Sequence, residues 1–429
     1  MARLPMMRAL LLIVAVSLAT ACPAAAADRV QHTKLISRAL DGGIPDGAST
    51  NAVISNDKRY SRAIAFESEA SNLVAGDLNG VKDVFVVLRG GSIDNVGTEW
   101  TPGRTVLASR GRGGAPADGP SWGAAIGGGF HWRPRCAGFL SSATNIARGD
   151  TNGADDAFVA RISRGGSVGA PRRVSLPGGR QASTPTTAVA VSGDCKAVAF
   201  VTGGKLYVST RGRRAKLVRA PGTAADPSFS TGLRRDLVFG AERGVYLKRQ
   251  ESRRARLVAP GGRNPAYNDI KRQVVTYERS AGGYSQIGYK DLGGSERIIS
   301  SHRGDAGDGD SRDPVIGNSG YYVTFESDAE NLGLNALART GDDNGSPDVY
   351  LFTDVRDITL VQSVVEKAVP LDGGGRHPSM SFYANYVTFD AVPPRSHDVI
   401  GLPFGLLASP GLPASQQPPQ VFMRWLGEL

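Results

Sequence analysis

Three cysteines and five histidines in 429 residues are too few for a disulfide-dense scaffold or a zinc-rich protein. His32, His131, His302, His377 and His397 are scattered, without metal-ligand spacing. No apolar run after residue 27 approaches the ~20 residues needed to span a bilayer, which excludes a multi-span membrane protein. Sustained helical periodicity is absent from the same region. Gly119-Pro120-Ser121-Trp122-Gly123 matches Gly-x-Ser-x-Gly, but a nucleophile elbow needs a following helix and only strand patterns follow. No paired nucleophile and base is visible. What the chain has in quantity is glycine (55) and proline (25) against 41% hydrophobic residues, the balance of a packed, turn-rich protein rather than a disordered one.

Residues 1–27 read as a secretory signal. Arg3 and Arg8 form a basic start, Ala9 to Ala21 an apolar stretch, and Ala25-Ala26-Ala27 a small-residue cleavage site. The mature chain is then 28–429, periplasmic or extracellular, with no transmembrane span and expected as a monomer. Leu18-Ala19-Thr20-Ala21-Cys22 resembles a lipobox with leucine one place too far upstream, so a lipoprotein anchored through Cys22 is the alternative.

The net charge of +10 is segregated. Residues 180–300 carry 22 basic and 9 acidic groups, whereas residues 301–429 carry 8 and 17. Nucleic acid is not the expected partner of an exported chain. An unknown protein or an anionic envelope polymer is, with a basic sector around Arg211, Arg213, Arg214, Lys216, Arg234, Arg235, Arg253, Arg254 and Arg256.

Internal repeats dominate the chain. Openings recur at Asn51-Ala52-Val53 and at Pro120, Pro185, Pro227, Pro265, Pro314 and Pro378. Each precedes a short alternating strand centred on an aromatic: Phe66, Phe139, Phe200, Phe239, Tyr277, Phe325 and Phe389. A third strand follows each time (DVFVVL, DAFVARI, KLYVST, GVYLKR, QIGYKDL, DVYLFT, QVFMRWL), and a fourth follows all but the last. The missing fourth strand lies at the other end, in Thr33-Lys34-Leu35-Ile36-Ser37-Arg38. The count predicts an all-β fold: a single seven-bladed β-propeller of four-stranded blades, closed by an N-terminal strand. Six blades, with one repeat misread, is the alternative.

The run Phe66 to Leu88, FESEASNLVAGDLNGVKDVFVVL, resembles the repeat of TolB-like propellers, a branch of the WD-repeat-like periplasmic propellers. Two more copies begin at Phe139 and Phe325. The resemblance implies an exported propeller acting as a binding scaffold. TolB itself has six blades and an extra N-terminal domain, so its role in cell-envelope assembly is not carried over.

Within the three copies lies Asp-x-Asn-Gly-x-x-Asp: Asp77, Asn79 and Asp83; Asp150, Asn152 and Asp156; Asp342, Asn344 and Asp348. Oxygen ligands at alternate positions with a glycine suit a weak Ca²⁺ loop. Asn-Gly is equally a tight-turn signal whose Asp bonds backbone N–H groups. Asn72, Asn145 and Asn331 recur upstream and are expected to tie the same loop. A further acidic run, Asp305, Asp308, Asp310 and Asp313, should share that rim. The long insertion of the seventh repeat, with Ile400, Leu402, Phe404, Leu406 and Leu407, should pack on the propeller or a partner.

Two functions follow as expectations. One is a non-catalytic exported scaffold for a protein, glycan or envelope partner, with no cofactor or with Ca²⁺. The other is a propeller hydrolase or lyase whose residues converge at the central channel, where His302 and His377 lie near blade openings. Carboxylates with a histidine at the channel mouth would favour the enzyme. Cys136 and Cys195, on consecutive repeats, are the candidate disulfide.

Overall fold

The computed structural model describes residues 32–426, apart from 233, 303, 318–319, 333–343, 355–357, 362–372 and 394–416. The signal segment, Cys22, Asp342, His397 and the apolar insertion of the seventh repeat therefore lie outside the described residues. The structure has seven four-stranded antiparallel sheets. Six follow chain order: blade 1 runs from Ser49 to Leu107, blade 2 from Ser121 to Arg173 and blade 3 from Thr186 to Val218. Blade 4 spans Ala225 to Pro260, blade 5 Arg263 to Ile298 and blade 6 Ser311 to Val361. Blade 7 takes three strands from the C-terminal end (Arg376–Met380, Tyr386–Ala391, Gln420–Trp425) and its outermost strand, His32–Leu35, from the other end. Leu35 sits opposite Phe422 and Lys34 opposite Met423. A two-stranded ribbon, Ser301–His302 with Asp305–Ala306, joins blades 5 and 6. Among the described residues there is no α-helix, and none long and apolar enough to cross a membrane.

Seven hydrophobic clusters sit one at each interface between blades, so the core is a ring of separate layers. The second-strand aromatics build it. Phe66, Phe139, Phe200, Phe239, Tyr277, Phe325 and Phe389 are all fully buried, each facing the preceding blade. Six stack on a third-strand ring, with centroids from 5.5 Å for Phe200–Tyr207 to 6.3 Å for Phe389–Phe422. In blade 5 the partner position is Gly288, and Tyr277 fills the space: a Cβ there would lie 2.7 Å from its ring.

The repeat openings are not one structural position. Pro227, Pro265, Pro314 and Pro378 lie within the innermost strands, just after a bulge, whereas Pro120 and Pro185 precede their strands. An innermost strand has one edge unpaired along the channel, which tolerates a residue lacking an N–H.

Links from second to third strand and from fourth to first strand open on one face, here the linker face. The two hairpins of each blade open on the other. On the linker face, Asp46, Asp118 and Asp308 each accept backbone N–H groups from the neighbouring loop. Asn72, Asn145 and Asn331 each return an acceptor to the backbone N–H of that aspartate. This clasp explains the recurring asparagine.

On the hairpin face, the connection Gly127–Arg135 of blade 2 lies across the far end of the channel. Gly128 N–H bonds Gly193 O of blade 3 at 2.9 Å. Phe130 packs 5.1 Å from Phe382 of blade 7, and Lys58 of blade 1 sits 4.8 Å above its ring. A disulfide pins the base of this crossing segment: Cys136 and Cys195 are bonded, with Cα atoms 5.9 Å apart. The repeat pattern puts both cysteines at second strands; Cys136 does open one, but Cys195 lies off its strand. It occupies the turn ahead of Ala197–Thr202 with φ 57°, and this brings its sulfur to the neighbouring blade. Gly127 leaves the room required, since a Cβ would fall 2.2 Å from the Cys195 sulfur.

Candidate functional site

Six of the seven innermost strands, all but that of blade 3, carry one residue in the left-handed region at the bulge: Asn51 (φ 53°), Gly123 (65°), Asp226 (48°), Asn264 (44°), Asp313 (53°) and His377 (48°). Asparagine, aspartate and glycine tolerate this conformation; histidine does so less often. At four interfaces the bulge turns the backbone N–H onto a carboxylate of the preceding blade. Asn51 N–H donates to Asp390 (3.1 Å), Gly123 to Glu67 (2.8 Å), Asp313 to Glu278 (3.0 Å) and His377 to Glu326 (3.0 Å). All four carboxylates follow the second-strand aromatic directly. Because side chains alternate, the aromatic faces the preceding blade and the acid the next. Blades 2, 3 and 4 have Leu140, Val201 and Gly240 at this position, so the polar arc spans blades 5, 6, 7 and 1.

His377 is the chemical centre of the arc. Its Nδ1 lies 3.0 Å from an oxygen of Asp390, which is only 3% exposed, while the imidazole side chain is 42% exposed. The Asp390 hydrogen bond holds the His377 pKa above the ordinary 6.5, overcoming the opposing effect of burial, and leaves Nε2 open. Burial pushes the Asp390 and Asp313 carboxyls up, against the bonds from His377 and Asn264 respectively. Ligand atoms of Asp313, Glu326 and His377 lie within 4.8 Å of one another, a set that could hold a metal ion. The charge of Glu326 is already compensated by Arg312, whose Nε binds it at 2.8 Å, and one oxygen of Asp313 is taken by Asn264 Nδ2 at 2.8 Å. The arrangement is better suited to moving a proton.

These groups border a cavity of about 450 Å³ at the linker-face end of the channel, lined by Asn51, Glu67, Trp122, Asp313, His377 and Pro378. Trp122 supplies a flat apolar wall beside polar acceptors. A second cavity of about 510 Å³ along the channel is lined by residues of all seven innermost strands, Pro, Ala, Val and Ser among them.

Ser121, from the Gly-x-Ser-x-Gly match, is fully buried in a strand against Ser141 and is no nucleophile. His302 lies in the ribbon between blades 5 and 6, and His131 on the segment crossing the channel. Of the acidic run, Asp313 reaches the channel mouth; Asp308 is in a clasp and Asp310 binds Ser285 N–H. Glu67, Glu278, Glu326 and Asp390 are residues the sequence reading overlooked. Their signal was an acid directly after a buried aromatic, a place where charge needs a partner.

In the Asp-x-Asn-Gly loops, Asn79, Asn152 and Asn344 form turns. Each Oδ1 accepts the N–H two residues on, and each Nδ2 donates to the closing Asp83, Asp156 or Asp348. Glycines 80, 153 and 345 supply the positive φ. Asp83 and Asp156 also accept a hydroxyl from fourth-strand neighbours, Ser109 and Ser175. The first aspartates differ. Asp150 is bound by Arg173 (3.1 Å) and Gln181 (2.8 Å). Asp77, 3% exposed, has an oxygen without a hydrogen bond, and burial, with the charges of Asp83 and Asp46, pushes its pKa up to about 6.

No protein-family description matches the chain, and no curated protein sequence does. Solved structures similar to it include TolB from Acinetobacter baumannii, at 16% identity over 72% of this chain and 71% of that one, TM-score 0.38. The β-propeller domain of the Trilobed protease from Pyrococcus furiosus is 9% identical over 81% and 90%, TM-score 0.47. An oligogalacturonate lyase in complex with manganese is 10% identical over 92% and 96%, TM-score 0.47.

Proposed function

We propose that the protein is an exported propeller enzyme, a hydrolase or lyase acting on a glycan at its channel mouth, with His377 as the proton-carrying group. The observation that carries this reading is the buried Asp390 fixing one nitrogen of a half-exposed His377 that lines a cavity. Asp390 sets the tautomer and orientation of the ring, and Asp313 and Glu326 add negative charge that favours the imidazolium. Trp122 offers stacking area, while Asn51, Glu67 and Asp313 offer acceptors to hydroxyl groups, a combination suited to a sugar ring. Export is supported by residues 1–27 and by the disulfide, which belongs to an oxidising compartment.

In titration by NMR, His377 should change protonation above pH 6.5, and Asp390→Asn should bring that midpoint down. A proton on His377 therefore stabilises the fold below about pH 6.5, and that stabilisation is lost as pH rises through the folded-state value. Against a panel of oligosaccharides followed by mass spectrometry, His377→Ala should lower turnover by ~10²-fold or more. Products formed at the native rate by His377→Ala would reject the assignment. Binding without product at any pH would favour the scaffold.

That second reading, a non-catalytic scaffold for an anionic polymer, rests on the hairpin face. Arg213, Arg214, Arg234, Arg253 and Arg254 are exposed there, all on turns of blades 3 and 4. If polyphosphate is used as the probe, affinity should fall steeply with salt, and Arg253→Glu with Arg254→Glu should weaken it about tenfold. Salt-insensitive binding would exclude this face.

A further inference from the structure

We propose that the blade-1 loop binds a divalent cation, Ca²⁺, between Asp77 and Asp83, at the position that the Arg173 guanidinium fills in blade 2. The two loops share a sequence pattern, a turn and a serine bond, which makes one an internal control for the other. In blade 2, Arg173 Nη1 bridges Asp150 (3.1 Å) and Asp156 (3.0 Å), and its Nη2 takes Gly149 O at 3.1 Å. Gln181 completes the shell of Asp150. The cation of this loop is part of the chain.

Blade 1 has lost both partners. Arg173 stands opposite Phe158, and the residue opposite the equivalent Phe85 is Leu107. Asn152 bonds Ala182 O just after Gln181; Asn79 bonds Ala117 O, just after Pro116. Leucine and proline thus replace arginine and glutamine, yet both carboxylates remain, Asp77 at 3% and Asp83 at 0% exposure. Asp77 keeps an oxygen with no hydrogen bond. The nearby Lys82 does not substitute, since its Nζ lies 4.0 Å from Glu67 and 3.8 Å from Glu69.

Two buried carboxylates cannot stay ionised side by side without a counter-charge. Gly76 is the sequence counterpart of Gly149, whose carbonyl takes Arg173 in blade 2; with that carbonyl the two carboxylates would give a hard oxygen set, and water would complete the six to eight ligands that Ca²⁺ takes. So few protein ligands imply weak binding, a Kd on the order of 10⁻⁴–10⁻³ M, the range of extracellular modules.

The test is calorimetry and thermal melting of the mature protein in CaCl₂ and in chelator. Native protein should melt about 2 °C higher in 10 mM Ca²⁺. Leu107→Arg, which installs the blade-2 solution, should bind one Ca²⁺ fewer per chain, lose that response and melt higher in chelator. Asp77→Asn, which needs no new side-chain volume, should lose it too. His377→Ala should retain it, which separates this site from the channel mouth. Native protein that takes up no Ca²⁺, or Leu107→Arg and Asp77→Asn variants with unchanged uptake, would overturn the proposal.

Discussion

Leu35→Asp should destroy the cooperative native state, although it alters a four-residue strand at the edge of the fold. Leu35 is fully buried against Val349, Leu351, Phe389 and Phe422, so it belongs to the interface of blades 6 and 7. Its neighbour Ile36 is buried with Ile54, Phe66 and Phe85 in the next interface. The strand therefore fastens the ring through two layers as well as through its pairing with Gln420–Trp425. Placing a carboxylate there removes a large apolar side chain and buries a charge with no partner. Together these cost about 5 kcal/mol or more, comparable to the whole stability of many domains. Leu40→Asp is the control, because Leu40 is 66% exposed. Circular dichroism melting and gel filtration should show Leu35→Asp expanded or aggregated and Leu40→Asp native. A folded Leu35→Asp protein with an unchanged melting temperature would mean that the ring does not depend on this closure.

The second large effect is expected from reduction of the Cys136–Cys195 bond, or from Cys136→Ser with Cys195→Ser. The bond closes a loop with a sequence separation of 59, and chain entropy assigns such a cross-link about 4 kcal/mol. Spread over a chain of this size, that corresponds to a fall of about 5 °C in melting temperature. Reduction should also free the base of the segment crossing the channel, so limited trypsin should cut at Arg135 sooner. Two free thiols in the denatured, unreduced protein, or melting insensitive to reductant, would contradict the bond.

Much of the fold was legible because it is local. An aromatic in each alternating strand locates seven interfaces, and one missing fourth strand, matched by Thr33 to Arg38, locates the closure. What misled was proline. Pro120 and Pro185 look like Pro314 and Pro378 but stand outside their strands, because turn entry and an unpaired inner edge both tolerate proline. The site was hidden for a different reason. His377 meets Glu326 from 51 residues away, and Asn51 meets Asp390 from 339. Such meetings depend on which blades adjoin, something no spacing along the chain expresses. Even so, Glu67, Glu278, Glu326 and Asp390 each followed a core aromatic and could have been flagged as buried charges in need of partners. By sequence the Asp-x-Asn-Gly loops are equivalent; Arg173 in blade 2, where blade 1 has Leu107, separates them. That contrast appears only once the fourth strands are in register.

The segment Gly127–Arg135 has a consequence for traffic. A propeller channel open at both ends lets a chain thread through, or lets substrate arrive on one side and product depart on the other. Here the hairpin side is crossed by blade 2 reaching to blades 3 and 7, which puts an obstacle at the far end of the channel that the His377 cavity opens on. Whatever enters past Trp122 meets that segment before it can leave on the hairpin side. On the reading proposed for this site, a long polymer would enter most readily by a terminus or a protruding branch, which would favour trimming of chain ends over cutting of interior links.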